Sequence, residues 1–125
     1  MTGMVHRDLA AGRWWTLSLA EQLGNVGSEI SRASRWRSRN PETARLAFHR
    51  ALELIDLTLA DSRLRGSRPR LREIARAREV VVDFFAGDNE YHSTADSLQK
   101  YFDQFATAAR GRPCPASSVT PSKGT

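Results

Sequence analysis

Lysine is almost missing from this chain: two stand against seventeen arginines. Cysteine, histidine and long apolar runs are equally scarce. The single cysteine, Cys114, lies between two prolines, so one chain has no disulfide framework and no cysteine metal cluster. It reads as a reduced thiol of a cytoplasmic protein. No apolar run approaches the roughly 18 residues that a membrane helix needs. The opening MTGMVHRDLAAGRWW has no signal-peptide core. The three histidines, His6, His49 and His92, form no His-x-x-x-His or Glu-x-x-His pair. No metal and no cofactor is therefore expected. No glycine-rich phosphate loop and no placed serine or cysteine nucleophile occurs, which leaves no catalytic residue to name.

Strand-like alternation is absent too; what remains is helical periodicity. Ser18 and Glu21 form a capping box. A helix then runs to about Arg37, with the stripe Leu19, Leu23, Val26, Ile30 and Ala33 as its core face. Asn40, Pro41 and Glu42 open a second helix to about Ala60, through Ala44, Ala47, Phe48, Ala51, Leu52, Ile55 and Leu59. Ser67 and Pro69 open a third, which ends at Gly87, expected as the residue just past the helix. A second capping box, Ser93 to Asp96, opens a fourth, carrying Leu98, Tyr101, Phe102, Phe105, Ala106 and Ala109 on one face. The fold expected is all-α: a four-helix bundle over 14–110, its helices mostly antiparallel, up and down. It lies between a flexible N-terminus (1–13) and a disordered tail (111–125) rich in Pro, Gly, Ser and Thr.

Two features stand out against that background. The third helix has the apparent core stripe Leu71, Ile74, Ala75, Val81, Val82 and Phe85, and Arg78 falls at its centre. A guanidinium keeps its charge, so a buried Arg78 must be paired. Its candidate partners are Glu29, Asp56, and Asp88 or Glu90 in the following loop. One reading is a buried ion pair that fixes register; the other is an anion site. Removing one partner of such a pair costs about 3–5 kcal/mol. The first helix carries a second stripe of small residues, Ala20, Gly24, Gly27, Ser31 and Ser34. Two glycines inside a helix cost about 1 kcal/mol each against alanine, and close approach of another backbone is the natural reason. That neighbour is either in the same chain or in a second copy. Ala77, Val80 and Phe84 give the third helix another apolar face, which suits a bundle centre or an interface.

The polar loop Asp88-Asn89-Glu90-Tyr91-His92 has the oxygen ligands a hard cation takes, but not calcium-loop spacing, and reads as a turn into the fourth helix. The net charge of +5 is uneven: Ile30–Arg78 holds thirteen arginines against five acids. Arg32, Arg35, Arg68, Arg70 and Arg72 are the candidate basic patch for nucleic acid. An up-down bundle sends the first two and the last three to opposite poles.

The segments Leu19–Glu29 (LAEQLGNVGSE), Ala51–Thr58 (ALELIDLT) and Gly87–Tyr91 (GDNEY) resemble an uncharacterised group of short prokaryotic all-helical proteins, over about residues 14 to 110. Their layout is similar to HEPN-type domains, small bundles often paired with nucleotidyltransferases or acting as RNases. The RNase members use an arginine, four to six residues, then a histidine. Here Arg45 and His49 have only three residues between them, so that activity does not carry over. The expectation is a non-enzymatic interaction or regulatory module that self-associates, most simply as a dimer. RNA binding or processing by the arginine-rich half is the alternative.

Overall fold

A computed structural model describes residues 12–110, with side chains described through residue 107. His6, Cys114 and the proposed tail from residue 111 lie outside the described residues, as does the N-terminus before residue 12. The described residues are helical with no strand. A helical turn over 12–14 leads into α1 (Leu19–Trp36). Helix α2 (Pro41–Leu59), a short 3-10 helix (Ser62–Gly66), α3 (Arg68–Ala86) and α4 (Ala95–Arg110) follow.

Local chemistry sets the helix starts. The Ser18 hydroxyl accepts the Glu21 N–H at 3.1 Å, and the Glu21 carboxylate accepts the Ser18 N–H at 2.9 Å. Asn40 and Ser67 cap α2 and α3 by accepting the N–H of Thr43 and Arg70. The fourth start differs from expectation by one residue. Thr94, not Ser93, is the cap: the Ser97 N–H donates to the Thr94 hydroxyl, and the Thr94 N–H donates to the Ser97 hydroxyl, both at 2.9 Å. Ser93 is held back by Asn89, whose side-chain amide brackets both the N–H and the carbonyl of Ser93. Asn89 does this from the left-handed region, at φ 55°. Gly87 is the capping residue itself, at φ −108°, so handedness does not demand glycine there. The site is tight, however: a Cβ at 87 would sit 3.1 Å from the Asp83 Cα, close enough that the α3 backbone would have to give by a few tenths of an ångström.

Helix α1 is the axis of the molecule. Its most extensive contacts are with α2 and with α4, on two sides. Leu23, Val26, Ile30 and Ala33 are buried against Ala47, Phe48, Ala51 and Ile55 of α2 and the rest of one core. The small-residue stripe meets α4. A Cβ on Gly24 would lie 2.9 Å from the Ala106 Cβ, and one on Gly27 would lie 2.9 Å from the Phe102 Cβ. The glycines are therefore occupied within the chain. The Gln99 side chain also donates to the Gly27 carbonyl at 3.1 Å, pinning α4 along the same seam. The face of Ala20, Gly24, Gly27 and Ser31 is thus a helix-packing seam. The reading of that face as an oligomer surface is corrected, because α4 already covers it.

Helix α3 is packed more lightly, chiefly against α2 and the 3-10 helix. Its buried residues are Ile74, Ala77 and Val81. The expected stripe holds in part: Ile74 and Val81 are buried and Val82 and Phe85 pack against the core, but Leu71 is 36% exposed, Ala75 is exposed, and Ala77, expected on the opposite face, is in the core. The periodicity was ambiguous because α3 carries apolar residues on more than one face, and its neighbours, not its own pattern, choose among them. At the far end, the Arg37 guanidinium lies 4.5 Å from the Phe84 ring centroid and donates to the Phe84 carbonyl at 3.1 Å. One cation thereby covers two half-buried aromatics and satisfies a terminal carbonyl of α3.

Candidate functional site

Arg78 stands between the buried Ile74 and Val81 but does not enter the core. Its side chain is 37% exposed and pairs with Asp56 of α2, Nε to Oδ1 at 2.7 Å and Nη2 to Oδ2 at 3.3 Å. Asp56 is itself 54% exposed. The expected buried cation is therefore a surface fork. Glu29 and Glu90 do not join it. Glu29 lines a recess between α1 and α2 that also holds Arg50. Glu90 gives its backbone N–H to Asp83 at 2.7 Å. The four residues Arg78, Glu29, Asp56 and Glu90 thus do not form one site; only Arg78 and Asp56 meet.

The polar loop serves its own turn. Asp83 accepts the N–H groups of Glu90 and Tyr91 through its two oxygens. The Tyr91 hydroxyl donates to Glu79 at 3.2 Å, and this bond pushes the phenol's pKa upward. Asp88 is exposed. Among the described residues no group of three or more His, Cys, Asp or Glu side chains is placed to hold a metal ion. The basic residues Arg32, Arg35, Arg68, Arg70 and Arg72 are all exposed. They do not form one patch. The end of α1 meets the end of α3 through Arg37, whereas Arg70 shares a recess with Leu19 at the start of α1.

A polar cluster that sequence reasoning missed lies at the start of α1. Asp61 is 4% exposed, yet charged. The Arg63 guanidinium forks onto it, with Nε 3.0 Å from Oδ1. The Arg63 backbone N–H and the Gln22 Nε2 add bonds of 3.0 Å each. These donors, Arg63 foremost, hold the carboxyl down at a pKa of about 2 against its burial. Arg63 goes on to donate to the carbonyls of Leu17 at 2.6 Å and Trp15 at 3.3 Å. Gln22 also donates to the Trp14 carbonyl, and the Trp14 indole donates to the Thr58 hydroxyl at 3.0 Å. One clasp thus ties the approach to α1, the end of α2 and the 3-10 helix together. The signal was present: Gln22 stands three after Leu19 and four before Val26, on the core stripe. Thr58 stands three after Ile55 in the same way. The clasp's charges are internally matched, and its chemistry is that of a fastener.

The remaining feature is a groove of about 270 Å³ between α3 and α4. Ala77 and Val80 form one wall; Leu98, Tyr101 and Phe102 form the other. Glu73 and Arg76 stand at its rim. Burial, with the Glu73 carboxylate nearby, pushes the Tyr101 phenol up to about 12, so it is a neutral, mostly apolar wall at physiological pH. No family model, curated protein or solved structure matches this chain.

Proposed function

We propose that this chain is a non-enzymatic helical interaction module that self-associates in the cytoplasm. The observation that carries this reading is the unequal covering of the helices. Helix α1 is enclosed by its own chain, while α3 leaves an apolar groove beside it, with Val80 and Tyr101 only half-buried. In this reading the four long helices form an up-down bundle. The Trp14–Thr58 bond supports it, since it brings the end of α2 back to the start of α1. Each polar cluster described above has a structural task, which favours binding over catalysis. No helix among the described residues is long and apolar enough to cross a membrane.

A second reading, RNA binding in a HEPN-like layout, draws on Arg65, Arg68, Arg70 and Arg72, all exposed within eight residues at one pole. Light-scattering mass across a size-exclusion peak, with absorbance at 260 and 280 nm on the same peak, separates the two. Self-association predicts a mass that rises with loading and carries no excess 260 nm absorbance. A monomeric mass with nucleic acid that salt strips off contradicts it and favours the second reading.

A further inference from the structure

Helix α3 wears its charges backwards. A helix start is partially positive and favours acids; a helix end favours cations. Here the first turn carries Arg68 and Arg70 and no acid, and the last turn carries no base. The first half of the helix continues with Arg72 and Arg76 around a lone acid, Glu73, and the second half holds Glu79 and Asp83 beside Arg78, which is already paired with Asp56. The same helix is the lightly covered one, and its groove face runs through Glu73, Arg76, Ala77 and Val80, at helical spacing. Arg76 and Glu79 stand beside that groove with Tyr91, which is 47% exposed. The Arg76 guanidinium lies 6.0 Å from the Tyr91 ring centroid, and Glu79 accepts the Tyr91 hydroxyl. Neither Arg76 nor Glu79 is in an ion pair among the described residues.

We infer that the occupant of the α3–α4 groove is α3 of a second copy of this chain, crossing antiparallel about a two-fold axis near Ala77. This inference rests on the self-association reading and names its surface. An antiparallel crossing sets the arginine-rich start of one α3 against the acidic end of the other, twice over by symmetry. Arg76 then falls across from Glu79 of the second copy. Both helix ends, each unfavourably charged alone, gain charges of the sign they lack. Val80 loses its remaining exposure to the opposite Ala77. A parallel crossing would bring like charges together at both ends, which disfavours it.

Sedimentation equilibrium at low ionic strength tests this on the full chain, comparing wild type with Arg76→Glu, Glu79→Arg, the double variant, and Val80→Asp. Circular dichroism on each confirms that the helices persist. The wild type is expected to dimerise. Each single reversal should weaken the dimer by about tenfold or more, because each creates two like-charge contacts. The double variant, with the charges exchanged, should recover to within about threefold of wild type. Val80→Asp should be monomeric while remaining helical. A wild type that stays monomeric at all concentrations overturns the self-association reading and this inference with it. A wild-type dimer that Val80→Asp and both reversals leave intact overturns the surface alone. A double variant no tighter than the singles overturns the antiparallel crossing.

Discussion

Helices α1 and α3 are nearly equal in length, at 18 and 19 residues, yet they sit in opposite circumstances. In α1 six residues are buried, both flanks are covered, and a matched clasp of charges closes its start. In α3 three residues are buried, one flank is open, and the charges oppose the helix dipole. The first arrangement is what a chain does to hold itself together. The second leaves apolar surface uncovered, which is where the proposed second copy would sit. Small residues mark the covered helix, because backbones approach closely only where side chains end early. Bulkier apolar residues on several faces mark the open one.

The seam between α1 and α4 is where the largest effect is expected. Replacing Gly27 with Leu drives a side chain into a position where even a Cβ would lie 2.9 Å from Phe102. The loss should reach at least the roughly 3 kcal/mol that marks the upper end of ordinary overpacking, read as a urea midpoint shift. Phe102→Ala, at a fully buried side chain, should lose about 3–5 kcal/mol from the same seam. If either change costs under 1 kcal/mol, α4 is not held as described.

The clasp should come next. Asp61→Asn removes the charge on which Arg63 closes and should cost about 2–3 kcal/mol, less than a fully buried pair because Arg63 is half-exposed. The same residue gives a pH signature. Its folded pKa of about 2 lies below the usual 3.8, so its stabilisation is complete above about pH 4 and is lost as pH falls towards 2. Urea unfolding of the wild type through that window should show the loss, and Asp61→Asn should flatten it. A parallel decline in both proteins would assign the acid sensitivity elsewhere.

The smallest effect belongs to the pair once expected to be central. Asp56→Asn, facing Arg78, should cost no more than about 1 kcal/mol, because both side chains reach solvent. A loss of 3 kcal/mol or more would put Arg78 back in the core.

These differences track what a sequence can express. Helix starts were legible because a cap is a contract between residues three apart: Ser18 with Glu21, Asn40 with Thr43, Ser67 with Arg70. The glycine seam was legible as a close approach, but its partner was not, since Gly27 and Phe102 are far apart in the chain. In α3 the pattern locates Ile74, Val81, Val82 and Phe85 in or against the core but not the exposure of Leu71 and Ala75 or the burial of Ala77, because the helix offers more than one apolar face and α2 and the 3-10 helix select among them. Removing Arg78 from the core also dissolved the site drawn around it. The clasp was hidden for a related reason. Trp14, Gln22, Thr58 and Asp61 are brought together only by contacts spanning 39 and 44 positions. A glutamine and a threonine on core stripes were the available warning, along with a tryptophan whose indole N–H needs a partner when buried.

The central claim is that α1 is closed by its own chain and α3 is left open for a second copy. Residue-resolved hydrogen exchange, run at low and high protein concentration, tests it most directly. The account predicts that α1 amides exchange only through global unfolding at both concentrations, while α3 amides exchange faster in dilute solution and gain protection as concentration rises. Equal protection of α1 and α3 in dilute solution, unchanged on concentrating, would contradict it.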